Sequence, residues 1–294
     1  MVENNSKKNK WFSIKDILIA KDKVFVSYTE EIKNNCWGTS VIYGNLNYEN
    51  IDFQRLFSPK NCVHAVFNID EDFNAHQSGG RIISLDDENI LLTIGDYRSR
   101  HLSQNLDSVF GKIIKINTKT SQHKIVTVGN RNAQGLYFDK ENNFLIQTEH
   151  GPFGGDEINL IDIEKIYNDE IQNYGWPISS GGEHYPSVVN YNPNIYKKYP
   201  LYKSHINYGF IEPIKSFTPS IGISEIVKIG KNKYVVSSLK DKSLNFITLN
   251  SNKELIKIKR EEVFERIRDL KYKDNKLYMF MEDTASIGVI NLNN

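Results

Sequence analysis

Three short runs in this chain combine charged, amide and glycine residues in a way that packing alone does not require. They are Gly129–Leu136 (GNRNAQGL), Thr148–Leu160 (TEHGPFGGDEINL) and Asn173–Pro177 (NYGWP). A core strand has no use for Arg-Asn beside Gln-Gly, or for Gly-Gly-Asp-Glu after a proline. These runs therefore mark places where side chains are expected to bind a ligand or to take part in a reaction.

Two further kinds of chemistry are indicated by residue type. His76, in the run His-Gln-Ser-Gly-Gly-Arg, has an ordinary pKa near neutrality and therefore suits proton transfer. Gly151, Pro152, Asp156 and Glu157 together offer backbone carbonyls and carboxylates. These are the hard oxygen ligands that calcium prefers, so this loop is a candidate metal site.

Cations form a third group of candidates. Arg131, Lys240, Arg266 and Arg268 each lie at the end of an apolar strand or in the loop before one. An arginine as a fork and a lysine as a point charge both bind anions well. Arg266 and Arg268 alternate with one residue between them, and strand spacing places both side chains on one face. Taken singly these residues are weak indications, because Lys and Arg are common on protein surfaces.

The elements that must position these residues form a repeat. An alternating apolar strand, a short polar turn and a second apolar strand recur five times. The copies span Ile17–Tyr28, Arg81–Asp96, Gly135–Glu149, Glu225–Lys240 and Asp269–Asp283. Irregular repeats of roughly 40–90 residues with three or four strands each are typical of propeller blades. We predict an all-β propeller with about five blades, as one domain over residues 14–294 that follows a polar N-terminal segment, residues 1–13.

Helical periodicity is nearly absent from the sequence. Asp162–Asn168 could hold a short turn of helix, and residues 183–215, rich in Tyr, Asn and Pro, predict a long excursion between strands. Loops at one rim of a propeller converge on its axis from distant parts of the chain. We therefore expect the candidate residues to meet at one end of the central channel.

Composition excludes several classes of function. The 37 basic and 36 acidic residues nearly cancel, so neither nucleic acid nor an anionic membrane surface is an expected partner. No apolar run reaches the roughly 18 residues needed to span a bilayer. The polar start lacks the apolar segment of a secretory signal, so either the protein stays inside the cell or this N-terminus is not that of the native precursor. Cys36 and Cys62 could form one bridge or remain two buried thiols.

The order and spacing of these motifs resemble the soluble pyrroloquinoline-quinone-dependent aldose and glucose dehydrogenases, which are β-propellers usually of six blades. The resemblance covers about Ile14 to Leu292 and is strongest between His76 and Pro177. It implies a quinoprotein that passes hydride from an aldose or similar alcohol to pyrroloquinoline quinone, uses calcium, and hands electrons to an acceptor. It also implies a periplasmic or secreted location. The family's first blade lies upstream of the copy that begins near Ile14, so this chain is expected to lack it.

By this resemblance, His76 is the general base that removes the sugar hydroxyl proton, although two residues rather than one separate it from Gly79-Gly80. Arg131 and Asn132 would contact the quinone, with Arg131 near its reacting carbonyl. The family's proline after this pair is Ala133 here.

The same resemblance assigns the remaining candidates. The quinone carries three carboxylates, which Lys240, Arg266 and Arg268 would hold. The carbonyls of Gly151 and Pro152 would hold the calcium ion. Asp156 and Glu157 would stabilise this loop or a structural ion.

Two other functions remain open. A non-enzymatic ligand- or sugar-binding propeller that has lost the cofactor is favoured by the missing blade, by the spacing after His76 and by the Tyr-rich excursion. A calcium-dependent hydrolase would need a cluster of inward carboxylates, and the sequence offers only Glu149, Asp156 and Glu157 close together. No phosphate-binding loop, zinc spacing or nucleophilic-serine motif is present in the sequence.

Overall fold

The computed structural model describes residues 10–292 as five β-sheets around a central axis. The innermost strands of successive sheets pack on one another in chain order, β1 on β6, β6 on β10, β10 on β15 and β15 on β19, with their ranges given below. This arrangement confirms the all-β propeller with about five blades. Most of the predicted N-terminal segment, residues 1–9, lies outside the described residues.

The first two sheets contain five strands each. Blade 1 comprises β1 (Ile14–Ala20), β2 (Lys23–Lys33), β3 (Cys36–Asn45), β4 (Gln54–Phe57) and β5 (Val63–His64). Blade 2 comprises β6 (Gly79–Ser84), β7 (Asn89–Ile94), β8 (Lys112–Asn117), β9 (His123–Val128) and β13 (Gln172–Asn173). Pairing is antiparallel throughout, except that β13 joins β9 in parallel.

The remaining sheets have four, four and three strands. Blade 3 comprises β10 (Ala133–Asp139), β11 (Phe144–Glu149), β12 (Asp156–Asp162) and β14 (Lys215–Phe217). Blade 4 comprises β15 (Ile223–Gly230), β16 (Lys233–Ser238), β17 (Ser243–Leu249) and β18 (Leu255–Glu262). Blade 5 comprises β19 (Ile267–Lys273), β20 (Lys276–Met281) and β21 (Ser286–Asn291).

Helices are few and short. α1 (Ile163–Tyr167) is capped by the Asp162 side chain, which accepts from the Glu164 N–H at 2.9 Å, and it lies within the stretch Asp162–Asn168 that was predicted as a possible turn of helix. The long excursion holds α2 (Pro186–Tyr191) and α3 (Ile195–Lys198), which were not predicted. Two 3-10 helices span Arg100–Gln104 and Ile206–Tyr208. Within residues 10–292 no helix is long and apolar enough to cross a membrane.

The core lies between the sheets, and strand alternation explains why. Adjacent residues of a strand point to opposite faces. Leu92 of β7 accordingly packs with blade 1, while its neighbour Leu91 packs with Leu145 of blade 3. Ile146, next to Leu145, packs in turn against blade 4. Both faces of the three middle sheets are therefore buried, as the near-continuous apolar runs of their strands require.

The arc of sheets is not closed in the same way. In the described part of the chain, β19 of blade 5 makes no packing on β1 comparable to that between the other inner strands. The outward faces of these end blades leave large apolar side chains exposed. They are Ile17 and Ile19 on blade 1 and Phe280, Ile287 and Val289 on blade 5. In the described residues, an open seam thus separates the first and last blades.

Within blade 1, the two cysteines form a disulfide. The Cα atoms of Cys36 and Cys62 lie 5.3 Å apart, and the bridge joins the start of β3 to the residue before β5. Of the two alternatives left open by the sequence, the bridge is the one observed.

Candidate functional site

Every inner strand has an irregularity in its pairing close to its first residue. The pairing register shifts between Ile14 and Asp16 in β1, and at the corresponding places in β6, β10, β15 and β19. A bulge of this kind turns a side chain toward a new direction. The residues left between paired positions are Lys15, Gly80, Arg81, Gln134, Ser224, Glu225 and Arg268. This fivefold pattern directs polar side chains toward the axis.

A cavity of about 650 Å³ lies where these bulges meet. All five blades contribute to its wall. Its lining includes Lys15, His76, Gln77, Arg81, Asn132, Gln134, His150, Ser224, Arg266, Arg268 and Glu282. The structure therefore brings together four of the residues proposed from the sequence, namely His76, Asn132, Arg266 and Arg268.

Arg81 binds all five blades together beneath this cavity. Its Nη1 lies 3.2 Å from a carboxylate oxygen of Asp16 and 3.2 Å from one of Asp269, and its Nη2 lies 2.6 Å from Glu225. Its Nε donates to the Gln134 carbonyl at 3.0 Å. Because the side chain is largely buried, this paired charge fixes the floor of the cavity.

His76 lies on the cavity wall with an exposed ring. Its main-chain N–H donates to Asn74 Oδ1 at 2.8 Å, and its ring meets that of Trp11 edge-on at 5.3 Å. Burial, followed by the positive charges of Lys15 and Arg268, lowers the pKa of His76 below its ordinary value. The imidazole is consequently neutral at pH 7 and able to accept a proton.

Arg131 and Lys240 line a second, smaller cavity of about 230 Å³, together with Gly151, Pro152 and Tyr185. The buried Arg131 guanidinium donates from Nη1 to the carbonyls of His150 at 2.9 Å and Gly151 at 2.6 Å. It also lies over the ring of Tyr185, 5.8 Å from its centroid. Arg131 is thus held as a rigid cation rather than as a mobile one.

The two cavities share Gln77 and His150, which the sequence analysis did not single out. Gln77 Oε1 and His150 Nε2 are both buried and have no hydrogen-bond partner among the described residues. An unpaired buried polar atom costs free energy, so a ligand that reaches both cavities would find two atoms ready to bond. Their positions beside His76 and Gly151 were the only signal available in the sequence.

Asn132 joins the loops of blades 2 and 3. Its Oδ1 accepts from the Gly79 N–H and from Gln134 Nε2, both at 3.0 Å. Gly79 has a positive φ of 60° and makes a close approach to the Thr93 carbonyl, which a Cβ would obstruct. This contact fixes the turn that carries His76 into the cavity.

The cations of blade 5 are partly neutralised by Glu282 and by Asp283, which lies 3.9 Å from Arg266 Nε. Glu282 approaches Arg266 Nη2 at 3.5 Å and accepts a short hydrogen bond from Arg268 Nη2. Arg266 also donates to the Leu239 carbonyl at 3.4 Å, next to Lys240. An incoming anion would therefore compete with the Glu282 carboxylate for both guanidinium groups.

The proposed metal loop separates into two parts. Gly151 and Pro152 line the smaller cavity, as does Asp156. The Asp156 carboxylate, however, accepts from the main-chain N–H groups of Gly151 at 3.0 Å, Gly222 at 2.7 Å and Ile223 at 3.0 Å. These three hydrogen bonds use the Asp156 carboxylate to hold the loop in place.

Glu157 lies outside both cavities and is buried. Its Oε1 accepts from the Gly181 N–H at 3.3 Å and lies 3.6 Å from His205 Nε2. Burial, with the repulsion of Glu149, raises the pKa of Glu157 to about 8. Within residues 10–292, no group of three or more His, Cys, Asp or Glu side chains is arranged to hold a metal ion.

Behind Arg131, the buried Glu149 supports the loop. Its carboxylate accepts from Asn130 Nδ2 at 2.9 Å, from Gln147 Nε2 at 2.6 Å and from the Arg131 main-chain N–H. Burial raises the pKa of Glu149 to about 7. The amide residues of the run 129–136 thus act partly as a scaffold for Arg131.

Comparison with known proteins gives a consistent result. The family profile described as "Glucose / Sorbosone dehydrogenase" matches residues 15–290 of this chain. Aldose sugar dehydrogenase YliI of Escherichia coli K12 is 26% identical over 303 residues, covering 92% of this chain and 74% of that protein. Quinoprotein glucose dehydrogenase B of Acinetobacter calcoaceticus is 32% identical over 136 residues, covering 36% of this chain and 27% of that protein.

Solved structures agree on the fold. The apo-form of the soluble aldose sugar dehydrogenase from Escherichia coli matches with a TM-score of 0.75 at 23% identity, covering 96% of this chain and 83% of that one. The PQQ-bound form of an aldose sugar dehydrogenase from Streptomyces coelicolor matches with a TM-score of 0.64 at 18% identity, covering 88% and 69%. At these identities the matches support the propeller fold itself.

Proposed function

Because this chain belongs to the glucose/sorbosone dehydrogenase family, we propose that it is a quinoprotein oxidoreductase that oxidises an aldose sugar or a similar alcohol with pyrroloquinoline quinone. The observation that carries the proposal is one cavity holding a neutral imidazole, His76, beside the guanidinium groups of Arg266 and Arg268. A base and a set of cations from separate blades suit an oxidation that uses an anionic cofactor.

The residues present fit such a cofactor. Pyrroloquinoline quinone carries three carboxylates, and the two adjoining cavities present Arg266 and Arg268 on one side and Arg131 and Lys240 on the other. The unpaired atoms of Gln77 and His150 lie on the wall that the two cavities share. A flat polyanion that reached across both cavities would meet charge and hydrogen-bonding groups along its length.

When bound, the quinone supplies the acceptor for the hydride that leaves the sugar carbon. His76 takes the hydroxyl proton onto its neutral ring. Arg131, fixed by the His150 and Gly151 carbonyls, offers positive charge where negative charge develops. Asn132 holds the loop of His76 in register with that of Arg131.

The protein residues alone offer too few free oxygen ligands for a calcium ion. The Gly151 carbonyl, one of its two expected ligands, already accepts from the Arg131 guanidinium, and the Asp156 carboxylate is bonded to three N–H groups. Calcium takes six to eight oxygen ligands. We infer that the Gly151 and Pro152 carbonyls would hold calcium only when a bound quinone supplies further oxygens.

The proposal is tested by adding pyrroloquinoline quinone and calcium to the purified protein and then a panel of aldoses. We expect the quinone absorbance to remain with the protein after gel filtration and a redox dye to be reduced on addition of sugar. Retention of quinone without reduction of dye by any sugar would refute the oxidoreductase function.

A second candidate is a non-enzymatic propeller that binds a sugar or another ligand. It is favoured by the Glu282 carboxylate, which pairs with both blade 5 arginines and lowers their net positive charge, and by the open seam. This candidate requires that the protein bind sugars by calorimetry while retaining no quinone. Quinone retention, dye reduction and sugar binding, all measured on one preparation, therefore distinguish the oxidoreductase from the binding protein.

A further inference from the structure

Lys15 occupies the same place in blade 1 that Arg268 occupies in blade 5. Each is the residue left between paired positions by the bulge at the start of its inner strand. Both side chains line the 650 Å³ cavity. Arg268 is a proposed cofactor ligand, whereas nothing in the sequence motifs pointed to Lys15.

The direction of the Lys15 side chain is constrained by a glycine. Gly80 has a φ of 114°, and a Cβ at this position would come within 2.3 Å of Lys15 Cβ. The stem of Lys15 therefore packs directly on the main chain of β6. Only a glycine in this bulge of blade 2 leaves room for the lysine at the cavity wall.

Lys15 also has no counter-charge. In residues 10–292, no hydrogen bond or ion pair involves its ammonium group, and the charged side chain that acts on its pKa is the cation Arg268. Burial, helped by the charge of Arg268, lowers the pKa of Lys15 to about 8. Arg268 is paired with Glu282, whereas Lys15 faces the same cavity without a counter-charge, and an anion between the two cations would offset the cost of that unpaired ammonium group.

We propose that Lys15 and Arg268 form a carboxylate-binding subsite beside His76. This inference rests on the proposed function for the identity of the ligand, because the carboxylate could belong to the quinone cofactor or to an acidic sugar substrate such as a uronic acid. The subsite itself requires only the two cations and their cavity. A carboxylate placed there would contact Lys15 Nζ and the Arg268 guanidinium in charge-assisted hydrogen bonds.

The first experiment uses the apo-protein and benzene-1,3,5-tricarboxylate as the probe, with the His76 ring signals followed by NMR. We expect the wild type to bind the probe, Lys15→Met to bind it at least about tenfold more weakly, and Lys15→Arg to recover most of the affinity. The matched control is Lys33→Met, which removes an exposed charge from the same blade outside the cavity. Equal affinities of the wild type and Lys15→Met, or no binding by the wild type, would overturn the proposal.

Two further arms identify the source of the carboxylate. If it is the cofactor's, Lys15→Met should weaken binding of pyrroloquinoline quinone at least about tenfold in the absence of sugar. If the carboxylate belongs to the substrate, Lys15→Met should leave the quinone affinity unchanged, while kcat/KM for glucuronate falls at least about tenfold relative to that for glucose. No change in either arm would contradict the subsite. A wild type that binds the tricarboxylate through Lys15 but reduces no dye would refute the dehydrogenase function and leave the subsite standing.

Discussion

Asp16 of the first blade and Asp269 of the last blade approach the same atom, Nη1 of Arg81, each at 3.2 Å. The inner strands that carry these two carboxylates do not pack on each other as the other inner strands do in the described residues. Arg81, from blade 2, therefore joins the two ends of the arc through charge at the axis. Its third carboxylate partner, Glu225, adds blade 4 to the same group.

Arg81→Met should lower the free energy of unfolding by about 3–5 kcal/mol. The substitution leaves Asp16 and Glu225 buried without their counter-ion, and an uncompensated buried charge is costly. Urea denaturation measures the effect. Lys119→Met, which breaks an exposed pair with Glu88, should change stability by less than about 1 kcal/mol. A similar small loss for both variants would show that the axial network is not stabilising.

Glu282→Gln should strengthen binding of pyrroloquinoline quinone. Its carboxylate pairs with both Arg266 and Arg268, so an amide would make both guanidinium groups more available to the cofactor while Asp283 stays 3.9 Å from Arg266 Nε. We expect an increase in affinity of several-fold, measured by fluorescence titration of the apo-protein. Glu261→Gln, which changes an exposed acid on β18, should leave the affinity unaltered. A weaker affinity in Glu282→Gln would mean that the acid itself contacts the ligand.

His76→Ala should reduce turnover by roughly 10²–10⁴-fold while quinone affinity is retained. The proton acceptor is lost, but the cations that bind the cofactor remain. Arg266→Ala should do the reverse and weaken quinone binding, as measured by equilibrium dialysis. His123→Ala, on β9 outside the cavity, is the control for loss of a histidine. Undiminished turnover in His76→Ala would end the proposed mechanism without affecting the fold.

Lys15→Met should be more stable than the wild type at neutral pH, and its advantage should shrink as the pH rises. Folding lowers the pKa of Lys15 from about 10.5 to about 8, so in this window the unfolded chain binds the proton that the folded protein has released. The wild type consequently gains up to about 1.4 kcal/mol per pH unit relative to the variant between pH 8 and 10.5. Denaturation of both proteins across this range tests the expectation, and a constant difference would contradict it.

Calcium alone should leave the melting temperature of the apo-protein unchanged, since Arg131 occupies the Gly151 carbonyl. With quinone present, calcium should raise both the melting temperature and the quinone affinity. Differential scanning fluorimetry with calcium, with magnesium as the control ion, measures the first effect. A calcium response without quinone would show that the protein holds the ion by itself.

Much of this architecture was predictable because local patterns determine it. Each strand pair is indicated by the alternation of apolar and polar residues along its strands. Asp162 caps α1 through a hydrogen bond to a residue only two positions away. The cations Arg266 and Arg268 were identified by their position at the start of the fifth repeat, as the family resemblance implies. These inferences needed no knowledge of which strand pairs with which.

Other parts of the site depend on long-range register and could not be predicted. Lys15 differs little from other strand lysines until the pairing of β1 with β2 is known to slip around it. Gln77 and His150 are recognised as site residues only from the assembled structure, in which both line the two cavities. The commitment of Asp156 to the N–H groups of Gly222 and Ile223 joins residues more than sixty positions apart. Such contacts appear only when the sheets are assembled.

Because the seam between the first and last blades is open, ligand binding is also expected to affect the stability of the arc of sheets. Lys15 belongs to the first blade and Arg268 to the last, so an anion held by both would connect the two ends of a linear stack of sheets. Affinity and the opening of the seam are then thermodynamically linked, and each must change when the other does. Hydrogen exchange in β1 and β19 should slow on ligand binding more than in β11, whose sheet is already covered on both faces. A ligand bound in the cavity would thus help to hold the first and last blades together.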